Sequence, residues 1–313
     1  MEQREATILF ADLRGFSSVA ATYPPELVFG LLNDSFILLS EIAARHGGTI
    51  DKFMGDSIMV VFTREVFSPD EAARRGVHCA VDMQIAMDDA NHAKRDTVRP
   101  ELFMGIGINS GKVISGVLGS HHYSARTVIG EEVNLAARIE AFCLRGQILI
   151  SEKTLAHCKG FIETGEPIEV YVKGSEKPLT LHEVHGIPSE GKNVPRQERR
   201  RSPRVQVRFP FNYQVIANDV VSQTRAGGTV LDLGYRGMLV ELERELGLYE
   251  EFKIDVELPL TGYRANDLYG RIVNLKRMRN RVQFGVEFTS LGTETSFAIR
   301  KLVQILIQGT AAE

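Results

Sequence analysis

Two aspartates, Asp12 and Asp56, each stand where an apolar run stops, and a motif far downstream adds an amide and a guanidinium. Asp12 closes the run 7–11 in Phe10-Ala11-Asp12-Leu13-Arg14-Gly15-Phe16. Asp56 sits in a tight turn, Lys52-Phe53-Met54-Gly55-Asp56-Ser57, between the runs 49–54 and 57–62. If the first strand lies beside that hairpin, the two carboxylates converge. Such a pair suits Mg²⁺, a hard cation that takes oxygen ligands, keeps some water and completes its octahedron with phosphate oxygens. In Gly130-Glu131-Glu132-Val133-Asn134-Leu135-Ala136-Ala137-Arg138, Asn134 and Arg138 lie one helical turn apart and project from one face. An arginine held there stabilises charge that grows on a transferring phosphoryl group, and an asparagine can orient a ribose. Lys173, in Val172-Lys173-Gly174, follows a strand and can neutralise a terminal phosphate, while Lys52 can reach into a base pocket. Together they describe a two-metal nucleotide site. Taken singly each has a plainer reading: Asp12 as a helix N-cap, Asp56 as a turn acid, Asn134 and Arg138 as a solvated helix face.

These groups need a scaffold. Over residues 24–46 the apolar positions Val28, Leu31, Leu32, Phe36, Leu39, Ile42 and Ala43 recur at three and four, with Gly47-Gly48 just past the end, which predicts a helix. A second helix is predicted over 69–90, strands over 102–109, 112–118, 126–129, 147–150, 168–172 and 179–184, and a short helix from Gly130. The mixture indicates an α+β, ferredoxin-like sandwich, with helices on one face of a mostly antiparallel sheet.

A length of 313 residues suits two domains. Net charge is −3, so the whole chain carries no polyanion signal and nucleic acid is not an expected partner. Cys79, Cys143 and Cys158 are scattered in apolar surroundings without metal spacing, as reduced buried thiols are. His121 and His122 have no acidic or cysteine partner at ligand spacing and are expected in a solvated loop. No uninterrupted apolar stretch approaches the roughly 20 residues of a membrane span, so a cytoplasmic protein is expected.

With the motifs in place, residues 7–185 resemble the catalytic domain of the class III nucleotidyl cyclases, the family of adenylate and guanylate cyclases. The resemblance implies that Asp12 and Asp56 bind two Mg²⁺ or Mn²⁺ ions per site. It places Lys52 where adenylate cyclases carry a base-reading lysine and guanylate cyclases usually a glutamate, and Thr127 on the partner specificity position. Asn134 and Arg138 match the transition-state pair, and Lys173 the phosphate-binding lysine. One departure is Gly130-Glu131-Glu132 where the family often shows Gly-Asp-Thr. Because the family site lies between two catalytic domains and this chain carries both residue sets once, a head-to-tail homodimer is implied. Adenine offers N1 as acceptor and N6 as donor, complementary to a lysine ammonium and a threonine hydroxyl. Guanine presents N1–H to the same lysine, and an unpaired buried polar group costs about 1–3 kcal/mol, a bias toward ATP.

From about residue 188 to 204 the composition turns to Pro, Ser, Gly and charge, with Lys192, Arg196, Arg199, Arg200, Arg201 and Arg204 clustered as a linker. Beyond it Val205, Val207, Phe209, Phe211, Tyr213 and Val215 alternate with polar residues, as in a half-buried strand. Further strands are predicted over 228–233, 238–242, 252–258, 268–275 and 282–288, a small barrel, and a last helix over 294–308 should dock on it with Phe297, Ile299, Leu302, Val303 and Leu306. Arg200 and Arg204 form an Arg-x-x-x-Arg pair, and Asp232-Leu233-Gly234-Tyr235-Arg236-Gly237 a turn. Two guanidiniums suit a phosphodiester and the O6/N7 edge of guanine, and an aspartate suits guanine N1–H and N2. Over 196–308 the chain resembles a PilZ domain, a cyclic di-GMP receptor, whose pattern is Arg-x-x-x-Arg followed by Asp or Asn-x-Ser-x-x-Gly. Arg200, Arg204, Asp232, Gly234 and Gly237 fall on that pattern, Gly234 replacing the serine.

The expected organisation is a cyclase domain at 1–187, a linker at 188–198 and a PilZ-type β-barrel with a C-terminal helix at 199–313. The expected activity is conversion of ATP to 3′,5′-cyclic AMP and pyrophosphate, modulated by cyclic di-GMP. The rivals are a guanylate cyclase and a non-catalytic nucleotide receptor. A diguanylate cyclase is not expected, since its Gly-Gly-Asp-Glu-Phe turn is absent.

Overall fold

Strand β1 (Glu2–Leu13) lies in the middle of a sheet, hydrogen-bonded on both sides and covered on both faces, which is why residues 6–11 are all buried. The computed structural model describes residues 1–63, 67–93, 99–171, 178–195, 202–217, 220–244, 246–278 and 281–310. The chain divides into two compact units, Met1–Val170 with Ser175–Arg199, and Tyr171–Gly174 with Arg200–Glu313.

In the first unit β1 is followed by α1 (Phe16–Thr22), α2 (Pro25–Arg45), β2 (Thr49–Met54), β3 (Ser57–Thr63), α3 (Pro69–Ala93), β4 (Met104–Gly119), β5 (Ser124–Ile129), α4 (Glu131–Ala141), β6 (Ile148–Ser151), α5 (Glu152–His157), β7 (Glu163–Thr164), β8 (Ile168–Val170), β9 (Leu179–Ile187), a 3-10 turn (Pro188–Glu190) and β10 (Lys192–Asn193). The sheet order is β10-β9-β6-β4-β1-β3-β2, with β5 on β4 and β7 and β8 on β9. The β4–β6 pair is parallel; the others are antiparallel. The α+β class is the expected one. One detail differs: the helices do not all share a face. Leu9, Ala11 and Leu13 pack with α2 and α3, whereas Ile8 and Phe10 pack with Val133, Ala136 and Ala137 of α4 on the opposite face.

Three expectations are amended. α1 and α5 carried no clear periodicity and were not expected. Strand β4 runs unbroken through Asn109-Ser110-Gly111, where two strands were expected. The Ser110 hydroxyl is tied at 2.9 Å to Thr7 and at 3.0 Å to Thr154, which keeps that segment extended against β1. Residues 188–194, expected as linker, are ordered in the first unit: Lys192 and Asn193 pair with Ile187 and Gly186, and Val194 N–H donates to His185 O.

Helix α2 is the one described helix long and apolar enough, by length and composition, to cross a membrane. Here Leu31, Leu39, Ile42 and Ala43 pack into the sheet core. The three cysteines are buried, and burial pushes their thiols well up, Cys158 to about 12.

The second unit comprises β11 (Arg204–Ala217), β12 (Val220–Val221), β13 (Ala226–Gly234), β14 (Gly237–Leu242), β15 (Glu251–Leu258), β16 (Tyr263–Met278), β17 (Arg281–Ser290) and α6 (Thr293–Thr310). The order β11-β13-β14-β17-β16-β15 closes through β11–β15 pairing into a six-stranded barrel. Tyr213, Phe252 and Phe284 fill it, and Ile299, Leu302 and Val303 of α6 are buried with them. Phe297 is half exposed instead of docking with that stripe, its ring edge-on to Tyr171 at 5.5 Å. Tyr171 N–H donates to Gln304 Oε1 at 2.8 Å, and its carbonyl accepts from Gln308 Nε2 at 2.6 Å.

Candidate active site

The acid pair forms as the strand ends require. Antiparallel pairing sets Asp12 opposite Ser57, and Asp56 precedes Ser57 in the two-residue turn that joins β2 to β3. Gly55 supplies that turn's positive φ of 60°, with open space around it, so its need is conformational. Burial pushes the Asp12 carboxyl up to about 6, with Arg14 pulling it down and Asp56 pushing it further up. Asp56 is raised too, chiefly by burial, against its own backbone N–H and Arg14. The N-cap reading of Asp12 fails, because α1 is capped by Gly15 without a side-chain hydrogen bond. Two desolvated acids, one of them pushed further up by the other, are a donor set short of positive charge, and a divalent cation bound by oxygen fits it.

Arg14 supplies part of that charge. Its Nη1 lies 3.4 Å from Asp12 Oδ2, while its Nη2 donates to the side chain and the backbone carbonyl of Glu140. Burial raises the Glu140 carboxyl to about 8, with Arg14 opposing the shift. Glu140 stands on α4, so the acid-bearing strand is latched to the helix of Asn134 and Arg138. That helix lies close because Gly107 has no side chain: a Cβ there would come within 2.2 Å of Glu140 N. Asn134 is exposed and Arg138 half-buried. The Glu132 departure has a local role. Its carboxylate accepts from Asn109 Nδ2 at 2.7 Å and pairs with Lys153, fixing the first turn of α4 to β4 and α5.

Across β2 and β5, Lys52 and Thr127 meet at a residue that sequence reasoning missed. Thr127 Oγ1 donates to Asp51 Oδ2 at 2.7 Å, Val128 N–H donates to Asp51 Oδ1 at 3.2 Å, and Lys52 Nζ lies 3.2 Å from Asp51 Oδ2. The Asp51 side chain is 6% exposed, whereas the Lys52 side chain is 42% exposed. Adjacency to Lys52 was the one local hint of Asp51, and its Thr127 partner lies 76 positions further on. Arg14 and Glu140 left none, since they meet across 126 positions. Lys173 lies outside the described residues.

Around these groups apolar side chains stand exposed: Phe53 and Met54 on β2, Ile114, Val117 and Leu118 on β4, and Ile129 on β5. His121 and His122 are exposed in the bend between β4 and β5, in agreement with a solvated loop. Elsewhere, His46, His78 and Asp82 hold three potential metal ligands within 4.8 Å. Lys192 Nζ fills that position, 2.7 Å from His78 Nε2 and 2.7 Å from Asp82 Oδ1, so an ammonium supplies the positive charge.

In the second unit Arg204 pairs with Gly234 across β11 and β13, and its Nη1 lies 3.9 Å from Asp232 Oδ1. A Cβ on Gly234 would meet Arg204 Cγ at 2.7 Å, so the arginine stem occupies the room a serine would take. Gly237 is needed for packing, because a Cβ there would come within 2.3 Å of Val286 O. Between them Tyr235 accepts at its hydroxyl from Gln304 Nε2 at 3.0 Å. Arg200 lies outside the described residues.

Residues 1–186 match the family model for the adenylate and guanylate cyclase catalytic domain, and residues 198–308 that for the PilZ domain. The chain is 34% identical to an adenylate cyclase of Anabaena cylindrica over 190 residues, 58% of this chain and 37% of that protein. It is 29% identical to adenylate cyclase 1 of Rhizobium meliloti over 187 residues, 59% of this chain and 28% of that protein. It thus spans about a third of the length of these curated relatives. Among solved structures, the guanylyl cyclase Cya2 is similar at 37% identity and a TM-score of 0.59, over 62% of this chain and 98% of that one. The adenylyl cyclase CyaB from P. aeruginosa is similar at 30% and 0.55, over 64% and 98%.

Proposed function

The chain belongs to the adenylate and guanylate cyclase family, with a PilZ domain following the catalytic domain, and from that membership we propose that it is an adenylate cyclase modulated by cyclic di-GMP. The observation that carries the choice of ATP is the joint hold of Asp51 on Lys52 and Thr127. The Lys52 ammonium donates to adenine N1 and Thr127 accepts from the N6 amine; guanine would set its N1–H against the ammonium.

Asp12 and Asp56 would hold two Mg²⁺ or Mn²⁺ ions, which would supply Lewis-acid polarisation and neutralise triphosphate charge. Asn134 orients the ribose so that its 3′-oxygen faces the α-phosphorus in line with the departing pyrophosphate. Arg138 stabilises the charge that accumulates as the new P–O bond forms, and Lys173 takes the charge of pyrophosphate. The acids act from one protomer and the Lys52, Thr127, Asn134 and Arg138 set from its twin. The exposed apolar side chains on β2, β4 and β5, beside the site residues, support a homodimer across that face. Cyclic di-GMP binds at Arg200, Arg204 and Asp232, and the reaction takes place in the cytoplasm, where ATP is available.

One assay tests this reading: purified protein with Mg²⁺ or Mn²⁺, ATP or GTP, and cyclic di-GMP present or absent. Cyclic AMP is expected from ATP at about tenfold or more the rate of cyclic GMP from GTP, with turnover shifted by cyclic di-GMP. Preferred cyclic GMP formation would overturn the substrate, and an Asp56→Ala protein as active as the parent would overturn the catalytic assignment.

A further inference from the structure

We infer that Asp51 sets the purine preference by fixing which way the Thr127 hydroxyl points, an inference that rests on the base-reading roles just proposed. Asp51 is placed for this by an irregularity in β2. The β2–β3 register passes from Ile50↔Val60 to Lys52↔Met59, so Asp51 is an extra residue without a partner on β3. Neighbouring side chains on a regular strand point to opposite faces. A bulge re-aims them, and here Asp51 and Lys52 make an ion pair at 3.2 Å.

A threonine hydroxyl has one hydrogen and two lone pairs. Facing a purine with its hydrogen free, it would donate to guanine O6 as readily as it accepts from adenine N6. Asp51 removes that ambivalence. The hydroxyl hydrogen is committed to Oδ2 at 2.7 Å, its other contact being Val128 O at the long distance of 3.5 Å. The aspartate is itself held, because Val128 N–H occupies Oδ1. What Thr127 presents to a base is therefore a lone pair, which suits the adenine amine and opposes guanine O6. Asp51 touches no substrate; it is a positioning residue.

The test is the ratio of kcat/KM for ATP to that for GTP, with folding checked by thermal melting. In Asp51→Asn the amide oxygen stays with Val128 N–H, so Nδ2 faces Thr127 and donates to Oγ1. The hydroxyl hydrogen is then freed toward the base. The ratio is expected to fall about tenfold, through a rise in GTP use as well as a loss of ATP use. Thr127→Val should also lower the ratio, and adding Asp51→Asn to it should lower the ratio by much less than in the parent, the remainder acting through the ion pair to Lys52. Asp51→Glu keeps acceptor oxygens and should hold the parent ratio even if turnover drops. If Asp51→Asn slows both nucleotides equally while Thr127→Val shifts the ratio, Asp51 is only scaffolding and the inference falls. A ratio that Thr127→Val leaves unchanged removes the base reading itself, and the inference with it. Collapse of the ratio in a folded Asp51→Glu protein also overturns it.

Discussion

Asp12 keeps its proton to about pH 6 in the metal-free protein because burial and Asp56 both oppose its charge. An acid whose folded pKa lies above its unfolded value near 3.8 binds more protons when folded, so this group lowers stability as pH rises through about 4 to 6. Asp12→Asn removes that term. With chelator present, the variant should melt higher than the parent at pH 8, by on the order of 1–2 kcal/mol, and the gap should close below pH 4. Mn²⁺ should raise the parent's melting temperature and leave the variant's unmoved. A variant that melts lower than the metal-free parent at pH 8 would contradict this account. Asp12, Asp56, Asn134 and Arg138 could be proposed from the sequence because each lies within a short motif. Asp51, Arg14 and Glu140 were not, because their partners arrive from strands and helices far along the chain.

For the elements, the decisive contact is α4 on β4. Gly107 leaves no room for a methyl group beneath Glu140, so Gly107→Ala must lift the helix off the sheet. A loss of about 1–3 kcal/mol is expected, with turnover falling further than stability alone explains, since Asn134 and Arg138 move with the helix. Gly30 on α2 has open space where a Cβ would go, and Gly30→Ala should stabilise by about 0.5–1 kcal/mol. Paired melting curves and rates check both; a Gly107→Ala protein as stable and active as Gly30→Ala would contradict the packing argument. The long elements were legible, α2 by its repeat at three and four and β11 by its alternation. The strand β4 was split in expectation because Asn109-Ser110-Gly111 has turn composition. Its conformation is decided by β1 and by buried hydroxyls that no local pattern reveals.

At the scale of the whole molecule, the proposed sharing of the site between protomers makes a quantitative demand. A preparation of Asp56→Ala and one of Arg138→Ala should each be nearly inactive. Mixed at equal concentration, they should recover about a quarter of parental activity, since half the dimers are mixed and each holds one intact site of two. Specific activity should also fall on dilution. Mixtures as inactive as their components would place all the catalytic groups within one protomer. The second unit bears on construction instead of chemistry. Tyr171 belongs to it, held through its backbone by Gln304 and Gln308 of α6, whereas β9 returns to the first unit. The chain therefore enters this unit, leaves it and returns, as thread passes twice through a hem. A domain stitched in that way cannot be grafted onto a foreign chain, or trimmed from this one, by a single splice.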